Sequence, residues 1–358
     1  MNVTEEQVKS ALSHVFDPDL HKDLITLKMI ENIKIEKNTI QFDLVLTTPA
    51  CPMKSRMKQD CELAIHNYID PEVEVIVNFS SNVTSKRHLS KDEILPTIKN
   101  IIAVASGKGG VGKSTIAVNL ALQLSKAGAK VALVDADIYG PSLPLMFGLE
   151  DVKPEVIERD GKQVIIPIEK FGIKVQSIGF FVSKDQALIW RGPMASNAMK
   201  QMFTDTQWGE IDYMVVDLPP GTGDIHLTMV QDLPVTGAVI VTTPSKLALA
   251  DVKKAISMFQ TEKISIPILG IVENMTYFAP AEFPDKKYYI FGQDGGKLLA
   301  EELHLELLSQ IPLVLGVTES VDSGNPIVLD ENSPLSSIFS ELASKVAQQA
   351  AVHNANKN

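Results

Sequence analysis

The run Gly107-Lys108-Gly109-Gly110-Val111-Gly112-Lys113-Ser114-Thr115 carries the densest chemistry in the chain. Its glycines let successive backbone N–H groups converge on an oxyanion, a conformation that side chains obstruct. Gly107, Gly112, Lys113 and Ser114 fill the spacing G-x-x-x-x-G-K-[ST]. In that spacing Lys113 places a point charge on the outer phosphates of a nucleotide, and the Ser114 hydroxyl ligates magnesium (Mg2+). Thr115 stands ready to donate to a nearer phosphate. The apolar stretch Ile101 to Ala105 leads into the loop and a helix pattern leaves it. A strand therefore delivers the glycines, and a helix N-terminus adds its positive dipole end.

Two other apolar stretches end in carboxylates. Lys130 to Asp135 runs into VDADIYGPS, which brings Asp135 and Asp137 to the carboxyl edge of a sheet, where ligands bind. A carboxylate there can orient an attacking water. Tyr213 to Asp217 continues into LPPGTGD, so Asp217 is placed to hold magnesium through water, with Gly221, Thr222 and Gly223 following as backbone sensors of a terminal phosphate and Asp224 after them.

These positions need a sheet of parallel strands to bring them together. From Ile101 the chain alternates short apolar strands with helices: Ile101 to Ala105, Lys130 to Asp135, Tyr213 to Asp217, Ala238 to Thr242 and Ile268 to Val272. That pattern predicts an α/β fold, a mostly parallel phosphate-loop sheet with helices on both faces, over residues 101–358. An insert at Val152 to Ser177 carries Arg159-Asp-Gly-Lys162, a hairpin turn signal. Residues 1–80 read as a small α+β domain: a helix over Thr4 to Phe16, strands at Met29 to Ile35 and Thr39 to Leu46, a helix from about Met53 to Tyr68, and a strand at Val73 to Phe79. The polar stretch 81–100, with Lys86, Arg87, His88 and Pro96, is the expected linker.

Bulk properties exclude several classes. At 358 residues, with 45% hydrophobic and 22% charged residues, the chain has the composition of a globular protein able to build two cores. A net charge of -11 with no basic stripe argues against a nucleic-acid partner. The opening MNVTEEQVKS lacks the basic start and apolar core of a signal peptide, and no apolar run approaches the roughly 20 residues that span a bilayer. The helical stretch Leu335 to Ala351 lacks the lysine and arginine cluster that attracts anionic lipid, so no membrane partner is expected and the location reads as cytoplasmic. His14, His21, His66, His88, His226 and His304 show no metal-site spacing.

The form GKGGVGKST, with Lys108 directly after the first glycine, resembles the deviant Walker A family of MinD, ParA, the nitrogenase iron protein and the Mrp group. The resemblance implies that Lys108 reaches across a homodimer to the partner's phosphates, as an arginine finger does. It makes Asp137 the switch carboxylate and leaves Asp135 to fix the loop. It also gives Asn274, in Glu273-Asn274-Met275, the reading of the adenine edge, and with it a preference for ATP. DADIYGPS, WRGPM at Trp190 to Met194, DLPPGTGD at Asp217 to Asp224 and ENMTYF at Glu273 to Phe278 narrow the likeness to the Mrp (ApbC) group of iron-sulfur carrier ATPases. Asp-Pro-Asp-Leu from Asp17 and LTTPACP at Leu46 to Pro52 resemble the small domain of SufT-like maturation proteins. Iron-sulfur apoproteins and assembly scaffolds are the implied partners.

One departure bears on the cargo. Mrp proteins carry C-x-x-C after the ENM segment, which in a dimer offers four thiolates to a [4Fe-4S] cluster. Here Thr276 to Phe291 reads TYFAPAEFPDKKYYIF, without cysteine. The subgroup lacking this pair is still associated with cluster delivery. The chain's two cysteines, Cys51 and Cys61, lie elsewhere. Cys51 sits in a Pro-Ala-Cys-Pro turn ahead of a helix, where N–H groups and the dipole are expected to favour its thiolate. Cys61 falls inside that helix, nearly three turns on, so one chain does not chelate with both. Cys51 shared between two chains or with a client is one reading; a buried structural cysteine is the other. Three functions remain open: an ATPase that binds and transfers clusters, a scaffold or regulatory ATPase that carries none, and a spatial organiser of the MinD or ParA type.

Overall fold

The computed structural model describes residues 3–85, 94–181, 192–221, 223, 230, 232–262, 264–280, 282–283 and 285–356. The chain divides into two compact units, one of Met1–Lys86 with Ala347–Asn358 and one of Arg87–Val346. The sequence reading ended the first at residue 80 and gave 101–358 to the second. Lys86, Arg87, His88, Trp190, Arg191, Thr222, Asp224 and His226, all singled out above, lie outside the described residues.

The smaller unit begins with α1 (Glu5–Leu12). Thr4 caps it: its Oγ1 accepts from the Gln7 backbone N–H at 3.3 Å, while Gln7 Oε1 accepts from the Thr4 N–H at 2.9 Å. Strands β1 (Ile30–Glu36), β2 (Thr39–Leu46) and β3 (Glu74–Ser81) form a sheet in that order, with α2 (Lys54–Tyr68) crossing between the last two. β1 and β2 pair antiparallel and β2 and β3 parallel. β2 alternates strictly, with Ile40, Phe42, Leu44 and Leu46 buried against Leu12, Met57 and Ile65 of the helices.

The larger unit is built on an eight-stranded sheet. Its strands are β4 (Ile98–Ser106), β5 (Val131–Asp135), β8 (Ile168–Lys170), β9 (Ile173–Ser177), β10 (Ile211–Asp217), β11 (Gly237–Thr242), β12 (Ile268–Phe278) and β13 (Leu307–Leu313). The spatial order is β13-β12-β11-β4-β10-β5-β9-β8, parallel except for the last pair. β6 (Glu155–Arg159) and β7 (Lys162–Ile166) make a separate hairpin. Asp160 (φ 52°) and Gly161 (φ 74°) both turn left-handed at its tip, as the Asp-Gly signal requires.

Helices α3 (Lys113–Lys126), α4 (Leu143–Met146), α5 (Gly192–Thr204), α6 (Lys246–Phe259), α7 (Gly295–Glu302), α8 (Gly316–Asp322) and α9 (Pro334–Asn356), with two short 3-10 turns at Ile178–Phe180 and Ile327–Leu329, complete the described elements. α3 lies against β5 and β10 with nearly every residue from Ile116 to Leu124 buried. β5 and β11 are buried along their full length and β10 at every residue but Asp212, which is why they read as continuous apolar runs rather than alternating ones. The α/β architecture with a small N-terminal sheet is the one the sequence predicts. β4, at the centre, is flanked by β10 and β11, so the loop leaving its carboxyl end opens where the chain connections diverge.

Candidate functional site

The loop from Gly107 to Gly112 joins β4 to α3. Two of its glycines are forced by neighbours. A Cβ at Gly107 would run into the backbone of Asp251 and Val252 in α6, and one at Gly112 (φ 83°) into the Asn274 amide. Gly112 is also the N-cap of α3 and offers no side chain to its first turn, which holds no acidic residue. The first-turn N–H groups are thus left for an external anion.

Lys113 is the first residue of α3 and only 6% exposed. Its ammonium is paired tightly with Asp217 Oδ1 at the end of β10, and stands 3.7 Å from Asp137 Oδ2. Asp217 is fully buried, and desolvation pushes its carboxyl up while Lys113 and the Ser114 hydroxyl pull it down. Asp135, also fully buried, is pushed up to about 7 by burial and by the charge of Asp217. Its carboxylate accepts from the N–H groups of Asp137 (3.1 Å), Ser142 (2.9 Å) and Leu143 (3.1 Å), and from Ser177 Oγ (3.0 Å). Asp135 thereby ties the segment carrying Asp137, and the start of α4, to the sheet.

Among the described residues three buried polar atoms here have no hydrogen-bond partner: Asp137 Oδ1, Asp217 Oδ2 and Ser142 Oγ. An orphaned buried polar atom is costly unless a ligand completes it. Asp137 and Ser142 border a cleft of about 280 Å³ that is also lined by Lys108, Gly109, Gly110, Gly112, Lys113, Ser114, Thr115 and Pro220. Leu145 and Met146 of α4 and Val321 of α8 add an apolar wall. Oxygen donors facing a buried lysine beside an uncapped helix start fit a magnesium-bound phosphate chain: Ser114 and Asp217 are the hydroxyl and carboxylate that such an ion takes.

The structure brings most of the sequence-predicted residues to this cleft. Lys108 is exposed at its rim. Val111 is buried behind the loop. Asn274 does not line the cleft; it is buried and its Nδ2 donates to the Val111 carbonyl at 2.9 Å. Sequence reasoning missed Ser142, Ser177, Leu145, Met146 and Val321, which come from segments whose approach to the loop is set by tertiary packing.

The cysteines of the smaller unit stand differently. Cys51 does accept from the Met53 and Lys54 N–H groups, but burial and the nearby Asp19 and Asp17 outweigh them and its thiol is pushed up. The expected stabilised thiolate is corrected on this point: desolvation exceeds the helix-start donors. Cys51, partly exposed, faces a small pocket of about 10 Å³ bordered by Asp17, Asp19, Thr48 and, from α9, Gln348, Ala351 and Val352. Cys61 is fully buried and pushed up to about 12. Among the described residues no group of three or more His, Cys, Asp or Glu is placed to hold a metal ion, and no described helix is long and apolar enough to cross a membrane.

Comparison with known proteins gives these observations a context. Residues 97–347 match the family described as NUBPL iron-transfer P-loop NTPase, and residues 5–77 match the family described as iron-sulfur cluster assembly protein. The iron-sulfur cluster carrier protein of Synechocystis sp. is 43% identical over 356 residues, covering 98% of this chain and 100% of its own. The protein of that name from Escherichia coli (strain K12) is 42% identical over 343 residues, covering 96% and 91%. A nucleotide-binding protein from Archaeoglobus fulgidus, solved in complex with ADP, superposes with a TM-score of 0.59 at 38% identity, covering 70% of this chain and 98% of that one.

Proposed function

The chain belongs to the NUBPL iron-transfer P-loop NTPase family, and we propose on that footing that it binds and hydrolyses ATP in order to carry iron-sulfur clusters to apoproteins in the cytoplasm. The observation that carries the nucleotide half is the site itself, where one carboxylate oxygen each of Asp137 and Asp217 faces the buried Lys113 while the other oxygen of each, and Ser142 Oγ, has no partner. Neither an apolar core nor a surface turn leaves such groups uncompensated.

In this reading the triphosphate takes Lys113 away from Asp217, and the lysine moves its charge to the β and γ phosphates. Asp217 and Ser114 would hold Mg2+, which would neutralise phosphate charge. The N–H groups of the loop from Gly107 to Gly112 and the start of α3 bind phosphate oxygens, with Thr115 donating to the nearer one. Asp137 orients a water whose oxygen adds to the γ-phosphorus as the bond to the β-γ bridging oxygen breaks, yielding ADP and inorganic phosphate. Lys108, too exposed to serve its own loop, meets the partner's phosphates in a homodimer.

The cluster is cargo, and Cys51 is the candidate ligand, shared between two chains or with an assembly partner. Protein purified without oxygen should contain iron and acid-labile sulfide in equal amounts, lose both in Cys51→Ala, and hand them to an apoprotein. A second reading, a scaffold or regulatory ATPase that holds no cluster, is favoured by the cysteine-free stretch 276–291 and by the narrow pocket at Cys51. Iron-free protein with intact ATP turnover would decide for it.

A further inference from the structure

The strand that carries Asn274 is deformed at that residue. The pairing of β12 with β13 shifts register once between Ile271 and Val272, keeps step through Glu273↔Gln310 and Asn274↔Ile311, and shifts again before Phe278↔Leu313. Met275 takes a left-handed conformation, φ 55°, with no glycine to make it easy. A bulge and a left-handed methionine at one point are local costs that persist only where the surroundings over-determine them, and their usual effect is to re-aim a side chain.

The side chain re-aimed here points at the phosphate loop. Asn274 is 8% exposed and its Nδ2 donates to the Val111 carbonyl at 2.9 Å. The same nitrogen occupies the space a Cβ on Gly112 would need, and the Met275 methyl lies 3.7 Å from that position. Gly112 is the N-cap of the helix whose first turn must receive phosphate. Asn274 therefore fixes the carbonyl and the glycine between which the loop turns into the helix.

Asn274 is itself held from behind. Glu273 is fully buried; its Oε1 accepts from the Gly296 N–H of α7 at 3.1 Å and its Oε2 from Gln310 Nε2 at 2.7 Å. Gly296 leaves no room for error, since a Cβ there would sit 2.9 Å from the Glu273 Cβ. The start of α7 and β13 thus clamp Glu273, and Glu273 sets the residue after it.

We infer that Glu273 and Asn274 form a brace for the phosphate loop: positioning residues that act on the triphosphate through Val111 and Gly112, independently of the base. The inference rests on the nucleotide reading above and separates from base recognition by one comparison, the affinity for a phosphate chain that has no base.

Titration calorimetry of wild type, Asn274→Ala and Glu273→Gln with the magnesium complexes of ATP, GTP and tripolyphosphate supplies it. The brace predicts that Asn274→Ala weakens all three by about tenfold, the effect of one lost buried hydrogen bond and a loosened loop, with the ATP to GTP ratio unchanged. Glu273→Gln follows the same pattern more weakly. Hydrogen exchange of the Ile116 amide, which donates to the Gly112 carbonyl at 3.0 Å, should quicken in both variants without nucleotide, while Ile102 to Val104 in β4 stay protected. Should Asn274→Ala fail to fold, shown by exchange in β4, Glu273→Gln carries the same test. Retained tripolyphosphate affinity with lost ATP preference would make Asn274 a base reader and overturn the brace, as would three unchanged affinities. Wild type that binds none of the three would remove the nucleotide reading itself, and the brace with it.

Discussion

The phosphate-loop cleft of the larger unit, bordered by Asp137, and the Cys51 cleft of the smaller one, bordered by Asp17 and Asp19, are opposite in state. The first has room, about 280 Å³, and carboxylate oxygens without partners. The second has about 10 Å³, roughly the space of a single water, and its carboxylates are spoken for. Asp17 Oδ1 accepts from the Asp19 and Leu20 N–H groups at 2.9 Å each, and Asp19 Oδ1 accepts from Gln348 at 2.6 Å. Unmet hydrogen bonds show a place where a ligand completes the fold; met ones show a place where the fold is complete and a ligand must displace something. The nucleotide site is of the first kind and the thiol site of the second.

The comparison breaks most sharply at the lysines. Lys108 is exposed where it lines the cleft, and if its charge serves the partner's site, Lys108→Ala should leave ATP affinity nearly intact and lower turnover by roughly 10³-fold, the effect of losing a cation delivered in trans. A steady-state ATPase assay beside a binding titration measures both. Equal losses in the two would place Lys108 in its own site. Lys113→Ala acts on the fold as well. It strands Asp217, fully buried, and should cost about 3–5 kcal/mol of stability at neutral pH. Urea unfolding without nucleotide reads that loss. It should shrink at low pH, where the stranded carboxylates take up protons.

How far each cleft could be foreseen follows from where its parts come from. Gly107 to Thr115 form one continuous segment between a strand and a helix, and the roles of Asp137 and Asp217 as strand-end carboxylates follow from the apolar runs before them. The parallel sheet was legible for the same reason, since strands buried on both faces cannot alternate. The hairpin at Asp160-Gly161 was legible from its two turn residues. Cys51 was misjudged because its local signal, donors at a helix start, is real but smaller than a burial created partly by Gln348, Ala351 and Val352, some 300 residues away. Asn274 offers a donor and an acceptor, and nothing in Glu-Asn-Met says that the strand kinks and spends the donor on Val111.

Asp135 sharpens the contrast by pH. Its carboxyl rises from an ordinary 3.8 to about 7 in the fold. Between those values the native protein holds a proton that the unfolded chain has released, so this group makes stability fall as pH rises, with the loss complete above about 7. Asp135→Asn keeps a neutral acceptor and should flatten that part of the curve, measured by urea midpoints from pH 4.5 to 8. An unchanged slope would mean that Asp135 is ionised across the range and that its donors, with Lys113, compensate its burial.

The smallest expected effect tests the narrow cleft. Gln348 holds the end of the chain to Asp19, and its loss should uncover Cys51 without opening the core of the unit. One part-buried hydrogen bond is worth about 1 kcal/mol, so Gln348→Ala should raise the rate of Cys51 alkylation roughly fivefold. Cys61 is the internal reference, because a fully buried thiol pushed up to about 12 reacts only when the unit unfolds. Peptide mass spectrometry after timed iodoacetamide treatment reads the two cysteines separately. A rise confined to Cys51 means that the chain end lies over the thiol as a removable cover. Cys51 and Cys61 rising together would make that end part of the core, and the thiol would then be structural in the same sense as Cys61.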